Sequence, residues 1–369
     1  MAAPPVAKAG LITWSRVNLF GSWGNTIATV LIFAFLAYLL PALFQWAVTD
    51  AVLTIKPDST SWWGYRFAPD TAACRVADGA CWDFIAEKYR VILFGVFPVK
   101  EQWRPVAMMF ILIVMVIVTL NTENWGRVLW LSWLVAIPAM FILMQGGVLG
   151  LSLVETDRWG GLPITFIIAT IGIVFSFPIA VLLALGRRSE LPVVKTICIG
   201  FIELVRGVPL ITILFMASLM LPLFLPEGTS SPNKLLRALV GFTLFSAAYV
   251  AEVIRGGLQA IPKGQFEAAD AMGLSYWQKT GLIILPQALK VVIPPMMNTF
   301  IGLFKDTTLI IIISMFDFLG TIRLAANDPA WRPYYVEGLV FGALIYFVIC
   351  FAMASYSRYL EDRLNTERH

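Results

Sequence analysis

The chain has 369 residues, of which 59% are hydrophobic and only 14% charged, with a formal net charge of +4. Soluble globular domains carry about 25% charged residues, so the composition excludes an ordinary soluble domain and places the chain among polytopic membrane proteins. The small positive excess gives no reason for a nucleic-acid partner, and the lone His369, with four cysteines that lack metal-ligand spacing, speaks against histidine acid–base chemistry and a zinc site.

A helix that crosses the hydrocarbon core needs about 20 mostly apolar residues. In chain order, eight stretches qualify: 26–48, 105–120, 128–150, 163–185, 206–225, 237–256, 288–313 and 336–357. The expected fold class is therefore an all-α polytopic membrane protein. The first stretch begins well inside the chain and exceeds a signal-peptide core in length, so it reads as an uncleaved anchor. Lys and Arg in short loops set orientation. One side collects Lys8, Arg16, Arg127, Arg187, Arg188, Lys195, Arg255, Lys263, Lys279, Lys290, Arg358, Arg363 and Arg368, against Arg158, Lys234, Arg237, Arg323 and Arg332 on the other. Both termini are thus expected in the cytoplasm.

The long loop 49–104 then faces outside and carries Cys74 and Cys81 among Gly, Asp and Trp. In an oxidising space the two would close a small disulfide loop; two unpaired thiols are the other reading. Cys198 and Cys350 lie in apolar surroundings and read as packing residues. Further on, Gly172, Ser176 and Ala180 recur every four residues, a small-residue stripe for close helix packing. Glu203 and Arg206 share a helical face where an interfacial helix (about 192–205) enters a span, and Glu252 and Arg255 repeat that spacing just before Gly256-Gly257. They read as snorkelling anchors, or else as an inner gate or a brace for the segment that follows.

That segment, EAADAMGLSYWQKTGLIILP at 267–286, is polar within a very apolar chain. Glu267 to Met272 are good helix formers, Gly273 offers a turn, and apolar residues at 274, 277, 282 and 285 resume helical spacing. The pattern predicts two short helices at an angle, with Pro286 allowing a change of direction before the next span. Ala268, Ala269 and Ala271 leave a low surface that another protein's groove can approach, and Glu267 and Asp270 share a face that can meet cations.

The order of residues resembles the signature loop of the permease subunits of binding-protein-dependent ABC importers. That loop runs Glu-Ala-Ala, three residues, Gly, nine residues, Ile-x-Leu-Pro, and is matched at Glu267, Ala268, Ala269, Gly273, Ile283, Leu285 and Pro286. The stretches ELVRGVPL (203–210), AYVAEVIRGGLQAIPKGQFEAA (248–269) and LFKDTTL (303–309) are similar to the polar amino-acid importers. The three additional N-terminal spans and the long outside loop resemble the broad-specificity L-amino-acid permeases.

The resemblance implies an inner-membrane permease of bacterial type. Its N-terminal extension (1–162) would precede a five-span type I importer core (163–369) with a cytoplasmic coupling loop (258–286). It implies two ATPase subunits holding ATP and Mg, a second permease and a periplasmic amino-acid-binding protein, with membrane lipid around the spans and no cofactor on this chain. The additional spans favour a homologous second permease over an identical copy. No G-x-x-x-x-G-K-[ST] motif occurs in the sequence, so the ATPase is expected on another polypeptide and this chain is not expected to be an enzyme. An ion-gradient-driven secondary transporter is the alternative, but no convincing internal symmetry favours it.

Charges within a span are functional candidates by default. Lys305 and Asp306 lie inside 288–313, and on a helix Thr299, Gly302, Leu303, Asp306 and Ile310 share roughly one face. A carboxylate there can meet the ammonium of an amino acid. A purely structural role for Lys305 and Asp306 is the other reading.

Overall fold

The computed structural model describes residues 10–57, 65–124, 126–226 and 231–366; Lys8, Arg368 and His369 lie outside the described residues. The chain divides into two compact units, one up to Glu87 and one from Lys88 onward.

In the first unit, α1 (Leu11–Asn18) precedes α2 (Trp23–Phe44), and the Ser22 hydroxyl caps α2 by accepting the Asn25 N–H. A π turn, Gln45–Thr49, extends α2, whose only buried residue is Thr29. The strands β1 (Ile55–Pro57) and β2 (Tyr65–Phe67) pair antiparallel and lead to α3 (Thr71–Val76), capped by Asp70. One buried carboxylate organises this loop: Asp83 accepts the Thr54 N–H and hydroxyl, each at 2.6 Å, and the Asp70 N–H at 2.9 Å. Cys74 and Cys81 are bonded through sulfur, with Cα atoms 5.4 Å apart. Asp83→Ala leaves these part-buried donors without their acceptor, at about 1 kcal/mol each. Tryptic cleavage at Arg66 and Arg75 is therefore expected to accelerate severalfold; an unchanged rate would show that Asp83 does not pin the loop.

The boundary between the units falls within α4 (Asp83–Phe94). The second unit continues with α5 (Trp103–Leu120) and α6 (Arg127–Gln145), which pack together. Gly146, in the left-handed region at φ 71°, stops α6 short of the predicted end at 150. Next come α7 (Gly161–Arg187), α8 (Pro192–Gly207) and α9 (Leu210–Phe215). The predicted span 206–225 is the second arm of a broken pair, Pro192–Gly207 and Leu210–Phe224, bent by 103°. The cause is local. Pro209 has no N–H to donate, and the preceding Val208 is driven to an extended ψ of 133°.

Asn233 then caps α10 (Lys234–Ala260), whose contacts with α7 are the most extensive in the chain. The predicted small-residue stripe is buried there, with Gly172 against the Phe242 ring. α11 (Lys263–Ala271) and α12 (Tyr276–Gln278) follow. A π turn, Lys279–Ile284, joins α12 to α13 (Leu285–Asp306), which ends in the 3₁₀ turn Thr307–Ile313. The predicted second short helix is therefore not separate from the span: Tyr276–Ile313 runs on for 38 residues. Pro286 comes just after the π turn, so its missing N–H falls where the helical hydrogen-bond pattern changes. A buried turn leads to α14 (Phe318–Ala325) and the long α15 (Tyr335–Thr366).

Among the described residues seven helices are long and apolar enough to cross a membrane, and the broken pair makes an eighth. Two buried clusters hold the second unit together. One joins Phe94, Met108, Ile164, Phe242, Leu303 and Ile310. The other, from Ala180, Ile202, Ile254, Leu258, Ile284 and Ala288, lies against the α11 side of the fold. In that second cluster Gly257 lets α10 meet α13: a Cβ there would stand 2.8 Å from the Ala288 carbonyl oxygen. Gly257→Ala is expected to lower stability by about 1–3 kcal/mol, because the backbone of a packed helix cannot give way. A melting temperature equal to wild type would mean that the helices separate without penalty.

Candidate functional site

The segment 263–286 shows why the signature loop has its residues. α11 ends in a Schellman motif, with the Leu274 N–H on the Ala269 carbonyl at 3.3 Å and the Gly273 N–H on the Asp270 carbonyl at 2.9 Å. Gly273 has φ 71°, which only glycine adopts without strain. Ser275 and Gln278 then form a capping box that starts α12. Ala269 is buried, while Glu267, Ala268, Asp270, Gly273 and Pro286 are exposed and Leu274, Ile283 and Leu285 half-buried. Asp270 is paired with Lys279 across the turn. Exposed Met272, Tyr276, Trp277 and Leu282 surround the motif with apolar surface.

This exposed piece is tied to the spans. Phe266 packs on the second core cluster, and the Arg188 guanidinium lies 5.7 Å from its ring centre while donating to the Leu258 carbonyl at 2.6 Å. Gln287 Nε2 donates to Gln265 Oε1 at 3.1 Å, joining α13 to α11. A push on α11 would therefore reach α10 and α13 through packed side chains rather than through slack chain.

The four charged residues expected in pairs form a single hub, and its partners differ from the spacing argument. Glu203 does not pair with Arg206; it meets Arg187 Nη1 at 2.8 Å. Glu252 accepts from Arg255 Nε at 2.9 Å and also faces Arg187 Nη1 at 3.3 Å and Arg206 Nη1 at 3.8 Å. Arg206 lies over the Tyr249 ring at 5.7 Å, and its buried Nε has no partner among the described residues. One carboxylate on α10 thus gathers arginines from α7, α8 and α10. Arg187 was not singled out from sequence, because nothing in the spacing links it to residues 16 and 65 positions further on.

On α13, Thr299, Gly302 and Asp306 are half-buried and Lys305 is exposed, while Leu303 and Ile310 turn into the core. The Thr299 hydroxyl donates to the Pro295 carbonyl at 3.0 Å. Neither Lys305 nor Asp306 makes a side-chain hydrogen bond or close ion pair with a described residue. The predicted face is therefore split, with its polar members left toward the surface of the chain.

A helical membrane fold with a projecting, rigidly anchored helix–turn of this pattern defines the membrane component of a transport system. The family model described as "Binding-protein-dependent transport system inner membrane component" matches residues 176–366, and the chain belongs to this family. It is 47% identical to the inner membrane amino-acid ABC transporter permease protein YhdY of Escherichia coli (strain K12), over 97% of this chain and 94% of that protein. It is 37% identical to the glutamate/glutamine/aspartate/asparagine transport system permease protein BztC of Rhodobacter capsulatus, over 100% of this chain and 97% of that one. The crystal structure of an amino acid ABC transporter with histidines aligns with 55% of this chain and 92% of its own, at 28% identity and a TM-score of 0.49. The chain is a multi-pass inner-membrane permease of the ABC importer class. That membership sets aside the ion-gradient alternative.

Proposed function

We propose that this chain carries L-amino acids inward across a bacterial inner membrane, driven by ATP that a separate subunit hydrolyses. The observation that supports this reading most directly is α11, exposed on its Glu267–Ala268 side and anchored through Phe266 and Ala269 beneath. Two copies of the ATPase, each holding ATP and Mg, would seat this helix and its equivalent on a second permease, a homologue rather than an identical chain. ATP-driven closure would then move the spans largely as rigid bodies. A periplasmic binding protein would deliver the solute on the other face, both termini would lie in the cytoplasm, and residues 1–162 would form an extension to the core at 163–369. Asp306 would meet the substrate ammonium, with Thr299, Gly302 and Lys305 along the path. The amino-acid class rests on the relatives, whose names specify amino-acid transport.

The test is uptake of a panel of labelled amino acids into liposomes that hold the complete complex with its ATPase and binding protein. Glu267→Lys is expected to release the ATPase and abolish uptake. Asp306→Asn is expected to abolish uptake while assembly and ATPase binding survive. Normal uptake by Asp306→Asn across the panel would remove the solute-site assignment, and normal uptake by Glu267→Lys would remove the coupling role of α11.

A further inference from the structure

Between α14 and α15 lies a cavity of about 280 Å³ with a divided lining. Arg323, Asn327, Arg332 and Tyr335 supply its polar part, and Ile322 and Leu339 its apolar part. Both guanidiniums are exposed, and neither has a side-chain hydrogen bond or close ion pair with a described residue. Among the nearby acids Asp317 feels the Arg323 charge but makes no close ion pair with it. Asp317 is fully buried and already accepts from the Leu319 and Gly320 N–H groups and the Tyr346 hydroxyl. Asp328 holds Lys88 Nζ at 2.7 Å. Glu337 is buried and already engaged. Two guanidiniums therefore share one cavity, with Asp317 acting on Arg323 only at a distance and no carboxylate in the lining itself.

The cavity's position narrows what could supply that charge. It lies where the span Tyr276–Ile313 has ended and the span Arg332–Arg363 begins. That end of the spans is opposite α11, since α13 crosses once between them. A membrane boundary is where a hydrated anion and a hydrocarbon tail meet in one molecule. Guanidinium groups match phosphate oxygens in bidentate fashion, and the Tyr335 hydroxyl and Asn327 amide can donate to the remaining oxygens. Beside the guanidiniums, half-buried Leu339 offers acyl carbons an apolar surface, and α15 goes on to expose Leu344, Phe347 and Phe351.

We propose that this cavity binds the phosphodiester headgroup of an anionic phospholipid, whose tail runs beside α15. Basic pockets between transmembrane helices on the cytoplasmic side hold such headgroups, and guanidinium–phosphate pairing works in the same way at the opposite interface. Free phosphate shares the headgroup chemistry, but it would leave the apolar surface unused.

The experiment is native mass spectrometry of the full chain. It would be purified in neutral detergent and mixed with phosphatidylglycerol or with phosphatidylcholine of the same acyl chains. Wild type is expected to retain the anionic lipid with a preference of roughly thirtyfold, the scale of two surface arginines acting on one anion. The double substitution Arg323→Gln and Arg332→Gln is expected to erase that preference, whereas Arg363→Gln, at the far end of α15, keeps it. Equal retention of both lipids by wild type overturns the proposal without recourse to any variant. So does displacement of the bound lipid by millimolar inorganic phosphate, which would assign the site to a free anion.

Discussion

Arg104→Met is expected to be strongly destabilising. Arg104 is fully buried at the head of α5, and its guanidinium reads the end of α6. Nε donates to the Leu143 carbonyl at 2.6 Å, Nη2 to the Met144 carbonyl at 3.3 Å, and Nη1 to the Ser152 carbonyl at 2.9 Å. The Phe97 ring lies 5.8 Å from its centre, and Glu101 Oε2 stands 3.5 Å from Nη1. Leu143 and Met144 belong to the last turn of α6, whose carbonyls have no intrahelical donors, and a cation there also opposes the negative end of the helix dipole.

Methionine has a similar volume but no donors, so up to three buried carbonyls lose their partner at about 1–3 kcal/mol each, not fully additive. A loss on the order of 4 kcal/mol is expected, seen as a large drop in the melting temperature of the detergent-solubilised protein. Arg104→Lys keeps the charge without the fork, so it should fall between the two. A melting temperature for Arg104→Met equal to that of wild type would show that α5 and α6 are held by apolar packing alone.

Much of this architecture is legible in the sequence because hydrophobic length is a strong signal. Seven of the eight predicted stretches correspond to single long helices, most with ends moved by a few residues, while the one expected from 288 begins at Tyr276. The signature loop was equally legible: a glycine six residues after Glu267 marks the left-handed cap of a Schellman motif, a purely local event. Less visible were features that depend on what lies across the fold. Arg104, one residue ahead of an apolar run, looks like an interfacial charge, and only the return of α6 makes it a buried cap. The stretch 206–225 has enough hydropathy for a span, yet Val208-Pro209 sets a sharp bend just inside its start. The π turn at Met216–Met220 inserts a residue within an apolar stretch that itself holds no glycine or proline, so no pattern announces it. For Glu203 and Arg206 the helical spacing was right but the partners were not, because Arg187 on α7 and Glu252 on α10 outcompete a neighbour on the same helix.

That competition sets the second large effect, Glu252→Gln. Among the described residues Glu252 is the carboxylate that faces Arg187, Arg206 and Arg255 together, while Glu203 pairs with Arg187 and acts on Arg255 at longer range. Without its charge, three guanidiniums across α7, α8 and α10 are left with the single carboxylate of Glu203, which is more exposed and sits beside Arg187. Arg206 stands one residue before the end of α8, so its release loosens the arm that leads into the bent half-span. Breaking a fully buried pair costs about 3–5 kcal/mol. The hub is partly open, so about 1–3 kcal/mol is expected here, reduced further by salt. Uptake should fall about tenfold, because 1.4 kcal/mol of misplacement at a moving helix junction is already a tenfold effect.

A double-mutant cycle separates a working hub from a set of independent anchors. If the carboxylate and Arg206 act as one unit, the stability loss of Glu252→Gln combined with Arg206→Gln should fall short of the sum of the single losses by at least about 0.5 kcal/mol. Independent snorkelling anchors would add, with no coupling between them. The sign of the salt dependence gives a second reading: raising ionic strength should narrow the gap between wild type and Glu252→Gln, since it screens both the attraction that is lost and the repulsion that is left. A gap that stays constant from low to high salt would mean that Glu252 acts through packing of its side chain, and the bend after α8 would then owe its position to Pro209 and the apolar contacts of Leu210 and Leu214.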